Sequence, residues 1–410
     1  MRMKAVLTLS TFAMVVILLA GASAAQEATP RTNLDIPFLN RDEIGARWAG
    51  MGGACMAIVD DGAAAYYNPA GLGYIRRIEI GASFNRRSLD IESDWFGQSN
   101  TSSVSSTRFE DLAVSYPFPT YRGSFVLAAS VFRPTSFDQY LDRQATRLTA
   151  DYHDVEQRKV TLTAWSGAAA VQLSPNIFFG AEAHFYTGDL DFEDNLYPWG
   201  PCEAPGATFS QSADLGGYGG TIGLTYVPHP LLSFGVVART PQRINVDGSE
   251  IYTEADGTCD KYRQSVDYDI DIPYSLGLGV AVRPPDLSIA ADLVWTDWEE
   301  LDYPGKVRDI DTGQFLFDPT TDVRLGVEYS VPVAPVRVRA GYAYVPLALN
   351  VFEIEKNRHR LSFGAGTIVE GTVTLDAAWQ RTSFEREDRL ASYSEKRTSD
   401  RLLLSFAYRF

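Results

Sequence analysis

Arg401-Leu-Leu-Leu-Ser-Phe-Ala-Tyr-Arg-Phe410 alternates strictly. Leu402, Leu404, Phe406, Tyr408 and Phe410 fall on one side; Leu403, Ser405, Ala407 and Arg409 fall on the other. Successive strand side chains point to opposite faces, so one face meets a greasy medium and the other a mixed or wet one. A terminal strand of this kind, ending on an aromatic, is expected to be the closing stave of a barrel.

Working back from it, the same period predicts strands near 77–89, 107–117, 122–132, 156–173, 176–188, 213–227, 231–241, 266–283, 286–297, 321–330, 335–345, 358–368, 371–383 and 401–410. That is fourteen, and bacterial outer-membrane barrels have even strand numbers. The connections between them alternate by length. Six are short, Pro117–Tyr121, Ser174–Pro175, Pro228–Pro230, Pro284–Pro285, Val331–Ala334 and Val369–Glu370, and seven are long and polar, near 90–106, 133–155, 189–212, 242–265, 298–320, 346–357 and 384–400. Short periplasmic turns and long extracellular loops sort this way in a barrel; a soluble sandwich gives no reason for it. The predicted fold class is all-β, a 14-stranded antiparallel transmembrane β-barrel.

Arg2 and Lys4, the apolar run to Ala20 and the small residues Gly21–Ala25 are a signal peptide by pattern, expected over 1–24. Beyond it no stretch reaches the roughly 20 apolar residues of a membrane helix. The mean hydropathy of −0.13 suits a barrel, which spreads its apolar residues over alternate positions. The 21 Tyr, 22 Phe and 7 Trp suit interfacial girdles. The 36 basic residues, two of them in the signal, face 52 acidic ones; that balance argues against nucleic acid as a partner. Acidic loop residues such as Asp189, Asp191 and Glu250 form a solvated face or bind cations beside lipopolysaccharide. Cys202 and Cys259 either bridge two outer loops or stay free, and Cys55 stands apart; with four histidines they make no recognisable metal set, and no cofactor is implied.

Charges on the non-greasy faces, among them Glu182, Asp292, Arg324, Glu328, Arg337, Arg339, Arg360 and Asp376, are expected to line the interior. There they pair with one another or with a plug, or meet water in an open lumen. A plug is favoured because Ala46-Arg-Trp-Ala-Gly-Met-Gly-Gly-Ala-Cys55 and the segment on to Gly73, dense in Gly and Ala, precede the first strand. The expected division is signal 1–24, hatch 25–75 and barrel 76–410.

Gly52, Gly53, Asp60, Asp61 and the run Tyr67-Asn68-Pro69-Ala70-Gly-Leu72 resemble the N-terminal hatch of the FadL-like outer-membrane channels, with looser similarity to PorV-like proteins of secretion systems. The likeness extends to the whole chain through the fourteen strands and Phe410. It implies a hatch-plugged barrel in the outer membrane of a Gram-negative bacterium, inserted by the barrel assembly machinery, expected to be monomeric, in contact with membrane lipid and lipopolysaccharide. It also implies that hydrophobic compounds, long-chain fatty acids or similar lipids first among them, are captured by outer loops and pass beside the hatch. In that family a kinked third strand opens a side hole; Arg122–Phe132 contains no internal proline, so the sequence shows no kink.

Arg47, Arg324, Arg337, Arg339 and Arg360 are candidates for an acidic head group, and Phe137, Tyr140 and Trp199 for its apolar part. Arg47 has a structural alternative, pinning the hatch to a wall carboxylate. The competing readings are an outer-membrane scaffold of the PorV-like type, a diffusion porin, and an enzyme. The last finds only His153, His184, His229 and His359 and no Gly-x-Ser-x-Gly element; the Glu182–His184 pair is explained by a lumenal hydrogen bond.

Overall fold

The computed structural model describes residues 41–147, 150–197, 207–253, 261–302, 317–348, 357–388 and 393–410. The expected signal peptide, Trp199, Cys202 and Cys259 lie outside them. The strands are β1 Glu79–Trp95, β2 Gln98–Phe118, β3 Phe125–Arg147, β4 Ala150–Ser174, β5 Ile177–Tyr197, β6 Ala207–His229, β7 Leu232–Arg239 continued by Gln242–Thr253, β8 Lys261–Ile272 continued by Ser275–Val282, β9 Leu287–Thr296, β10 Thr320–Ser330, β11 Val336–Pro346, β12 Asn357–Val369, β13 Val373–Asp388 and β14 Tyr393–Arg409. All neighbours are antiparallel. The ring closes where β1 pairs with β14, from Glu79↔Arg409 to Trp95↔Tyr393. Fourteen staves therefore close into one ring, the arrangement that satisfies backbone polar groups in hydrocarbon.

The breaks in β7 and β8 fall at Pro241 and Pro273, which have no N–H to give to the ladder. The sequence reading ran through Pro273 as unbroken strand. A larger correction concerns the long loops. Residues 90–106 are not a loop: β1 and β2 continue to a two-residue turn at Phe96 (φ 51°) and Gly97 (φ 81°), a primed hairpin turn. Much of 133–155 is likewise strand. Above the membrane the outer face meets water, so greasy alternation fades while pairing persists; Ile91, Ser93 and Trp95 still point inward and are buried, Glu92 outward.

Outward residues form an apolar belt: Leu402, Leu404, Phe406 and Tyr408 of β14, Leu276, Leu278 and Val280 of β8, Leu325 and Val327 of β10 and Phe363 of β12 are all exposed. Leu403 is fully buried. The lumen holds the hatch, with α1 at Ala46–Gly50, α2 at Ala64–Tyr67 and a 3-10 turn at Pro69–Tyr74. Nearly every hatch residue from Asp42 to Leu72 is buried. Small wall residues make room for it. A Cβ on Gly326 would sit 2.5 Å from the carbonyl oxygen of Met51, and Gly341 is tighter still against Met51 and Gly52.

Candidate functional site: the cavity beside the hatch

The hatch is fastened by charge. Arg47 forks onto Glu328 of β10, with Nε and Nη2 each 3.1 Å from a carboxylate oxygen, and also binds Asp60. Arg339 of β11 joins Glu328 and Asp376, 2.6 Å to each, so one chain of ion pairs runs from hatch to wall. Asp292 of β9 accepts the N–H groups of Cys55 (2.7 Å) and Met56 (2.9 Å). Glu43 pairs with Arg360 of β12, and Arg401 of β14 donates to the Glu43 carbonyl at 3.0 Å. Asn68 accepts from Ala70 N–H at 3.1 Å and donates to the Met56 carbonyl (2.6 Å) and Thr225 Oγ1 (3.1 Å), with Pro69 fixing φ at the following turn. Within the hatch Trp48 Nε1 donates to Asp61 at 2.9 Å. Burial pushes the Asp61 carboxyl up to about 7, helped by Glu79 and opposed by Arg47.

On the side of the hatch away from the short turns lies a cavity of about 180 Å³. Tyr66 of the hatch, Leu89, Phe137, Val294, Trp298 and Phe384 give it apolar wall; eight arginines and three aspartates also line it. A dry cavity of about 150 Å³ holds one benzene, so this one takes a ring or a short chain, and a longer chain must project from it. Beyond the cavity Trp95, Ala145, Leu196 and Tyr393 form a second buried cluster. There buried Arg143 pairs with Asp154, with Trp95 and Tyr393 against its guanidinium at 5.8 and 5.4 Å.

Beside the cavity the wall is not continuous. β2 and β3 pair only from Phe118↔Phe125 to Asp111↔Phe132. At that level Glu110 is an extra residue in β2, between Ser83↔Asp111 and Phe84↔Phe109. In β3 the register against β4 slips between Phe132 and Thr135, at Arg133-Pro134. Bulges bend strands and end pairing. The third strand is thus bent at Arg133-Pro134, a feature the sequence reading did not see because it ended the strand at Phe132, just short of the proline. Above the bulges the strands are joined by side chains: Arg108 with Asp138, then Ser102 Oγ with the N–H of Asp142 (2.9 Å) and Asn100 with the N–H of Gln144 (2.8 Å).

Of the candidate residues, Arg324, Arg360 and Phe137 line the cavity. Arg47 and Arg339 are consumed in the hatch-to-wall ion pairs, and Arg337 lines a smaller space below the hatch. Tyr140 is three residues from Phe137 in the same strand and so faces the opposite side. Sequence reading missed Arg41, Arg87, Arg239, Arg358, Arg397 and Arg401; Arg397 sits in a stretch taken for a loop and Arg41 in the expected hatch, while the other four lie in expected strands. Ser166 Oγ donates to Glu182 at 2.6 Å, and Glu182, not the serine, meets His184 Nδ1 at 2.8 Å.

The class of protein defined by this geometry is a transmembrane barrel of fourteen strands, plugged from its N-terminus, with a lumenal cavity beside a discontinuous wall. More particularly, the fold is that of the FadL-like channels. It resembles a Pseudomonas aeruginosa FadL homologue (TM-score 0.69, 16% identity, covering 90% of this chain and 100% of that one). It also resembles the toluene transporters TodX of P. putida (0.68, 16%, 90% and 99%) and TbuX of Ralstonia pickettii (0.66, 16%, 90% and 99%). No family model matches the chain, and no curated protein matches its sequence.

Proposed function

We propose that the chain is an outer-membrane channel of a Gram-negative bacterium for hydrophobic small molecules that carry an acidic group, fatty acids or similar lipids among them. The structures it resembles are described as a FadL homologue and as toluene transporters. The observation that carries the reading is the cavity's position, between a pinned hatch and a stretch of wall where β2 and β3 do not pair. Cargo captured by the outer hairpins enters the cavity and leaves through the β2–β3 gap. Each CH2 returned to water costs about 0.8 kcal/mol; a side exit leads to hydrocarbon and avoids that cost. The arginines orient the acid, and the aromatic wall takes the remainder.

Density for the protein purified in mild detergent tests this. Elongated density in the cavity, pointing at the gap, supports a channel. A cavity holding only water, with a protein partner copurifying on the outer hairpins, replaces it with the scaffold reading.

A further inference from the structure

The cavity's arginines are not equivalent. Five of the eight have carboxylate partners: Arg87 with Asp42 (2.6 Å), Arg324 with Asp322 (3.0 Å), Arg401 with Glu110 (3.0 Å), Arg360 with Glu43, and Arg397 with Glu395. Arg358 lies against the ring of Phe384 at 5.1 Å. Arg41 and Arg239 remain. Arg239 is 7% exposed, and among the described residues its one acceptor is the Tyr66 carbonyl at the long distance of 3.5 Å. The Arg41 guanidinium stands 5.6 Å from the centre of the Tyr66 ring and hydrogen-bonds the neutral Tyr186 side chain. Among the described residues no carboxylate lies within ion-pair reach of either.

Two guanidinium groups therefore converge on one tyrosine, in a space both of them line, and among the described residues no carboxylate stands in ion-pair contact with either. Tyr66 does not relieve the charge, since its hydroxyl is spent on the Asp42 carbonyl at 2.7 Å. A buried cation must be paired or hydrated, and a guanidinium presents a planar fork that matches a carboxylate or phosphate. We propose that Arg41 and Arg239 form a subsite for a head group bearing two negative charges. Within the acidic cargo class, the head group this subsite takes best is then that of a small amphiphilic dianion, an aromatic dicarboxylate or phosphate monoester, ahead of a monoacid such as a fatty acid. This rests on the reading of the cavity as the cargo site, and it deepens that reading.

The test is calorimetric titration of the full chain in detergent with toluene, benzoate, phthalate and phenyl phosphate. The expected result is at least tenfold tighter binding of phthalate or phenyl phosphate than of benzoate, with toluene weakest. Arg239→Gln should reduce that preference to under twofold, Arg239→Lys should restore part of it, and Arg41→Gln should act as Arg239→Gln does. Each variant is first checked for heat-modifiable migration, so that if one fails to fold the other still decides. Equal binding of benzoate and both dianions, or a preference that survives whichever arginine variant folds, overturns the subsite. The transport reading fails separately: dianion binding without uptake into proteoliposomes removes the channel and leaves the subsite, whereas toluene uptake with no dianion preference does the reverse.

Discussion

The backbone N–H of Asp42 donates to the carbonyl of Pro134 at 2.9 Å, tying the beginning of the described hatch to the kink of β3. The Asp42 side chain pairs with Arg87 at 2.6 Å and approaches Arg401 at 3.7 Å. Burial raises this carboxyl, but Arg87, Arg401 and Arg360 outweigh it and hold it below its ordinary range. Hatch and gap are thus mechanically joined at the lower corner of the opening.

Asp42→Ala should loosen that corner. Removing one partner of a buried ion pair costs about 3–5 kcal/mol, so the segment ahead of α1 should become accessible. Limited proteolysis should cleave it several-fold faster than in the parent while the barrel remains heat-modifiable. Unchanged cleavage would mean that the tether carries little.

Glu328 receives both Arg47 and Arg339. Glu328→Gln leaves both guanidinium groups short of charge and should free the hatch, again at about 3–5 kcal/mol. The parent should show little or no steady current in planar bilayers, and the variant frequent opening steps. A silent variant would place the lumenal seal elsewhere, at the Arg143 cluster for example.

The lumen was legible in the sequence to differing depths. Alternation in β8, β9 and β14 identified the outward belt because hydrocarbon imposes a strong period-2 signal. Gly- and Ala-rich Ala46–Gly73 signalled close packing for the same kind of reason: there is no room for side chains between Met51 and Gly341. Alternation could not reveal Ile91–Trp95 as strand, since water on the outer face removes the contrast. Nor could it pair charges across the sheet. The interior carboxylates and arginines were expected only to balance one another as a group; in the structure Arg324 binds Asp322, two residues away on its own face, while Asp292 spends itself on backbone N–H groups. Ion-pair choice depends on rotamers and hatch position, which no period encodes. The kink was nearly visible: Pro134 lay two residues beyond where greasy alternation ran out.

Gly341→Leu tests the packing of the plug. A side chain here collides with the Met51–Gly52 backbone, and overpacking against a fixed backbone costs about 1–3 kcal/mol or more. The barrel should still migrate in a heat-modifiable way but conduct like the Glu328→Gln variant. Loss of the folded barrel itself would show that hatch and wall fold as one unit.

The Asp61 carboxyl gives a pH dependence. Its folded value of about 7 exceeds its ordinary 3.8, so the folded state holds the proton more tightly than the unfolded one. The stabilisation is complete below the ordinary value and is lost as pH rises through about 7. Glu43, held below its ordinary 4.5 by Arg360 and Arg324 against the opposing effect of burial, acts only at lower pH. Fluorescence of Trp48, whose indole N–H binds Asp61, should report hatch loosening between pH 6 and 8. Asp61→Asn should flatten that transition; a transition of equal size in the variant would assign it to another group.

The side exit is tested most directly by closing it. Arg108→Cys and Asp138→Cys, in a chain with Cys202 and Cys259 replaced by Ser, place thiols on either side of the unpaired stretch where the ion pair now stands. A short bis-thiol cross-linker should then abolish ligand uptake into proteoliposomes while calorimetric binding in detergent stays within about twofold of the uncross-linked protein. Uptake that continues at the same rate after complete cross-linking would contradict passage between β2 and β3.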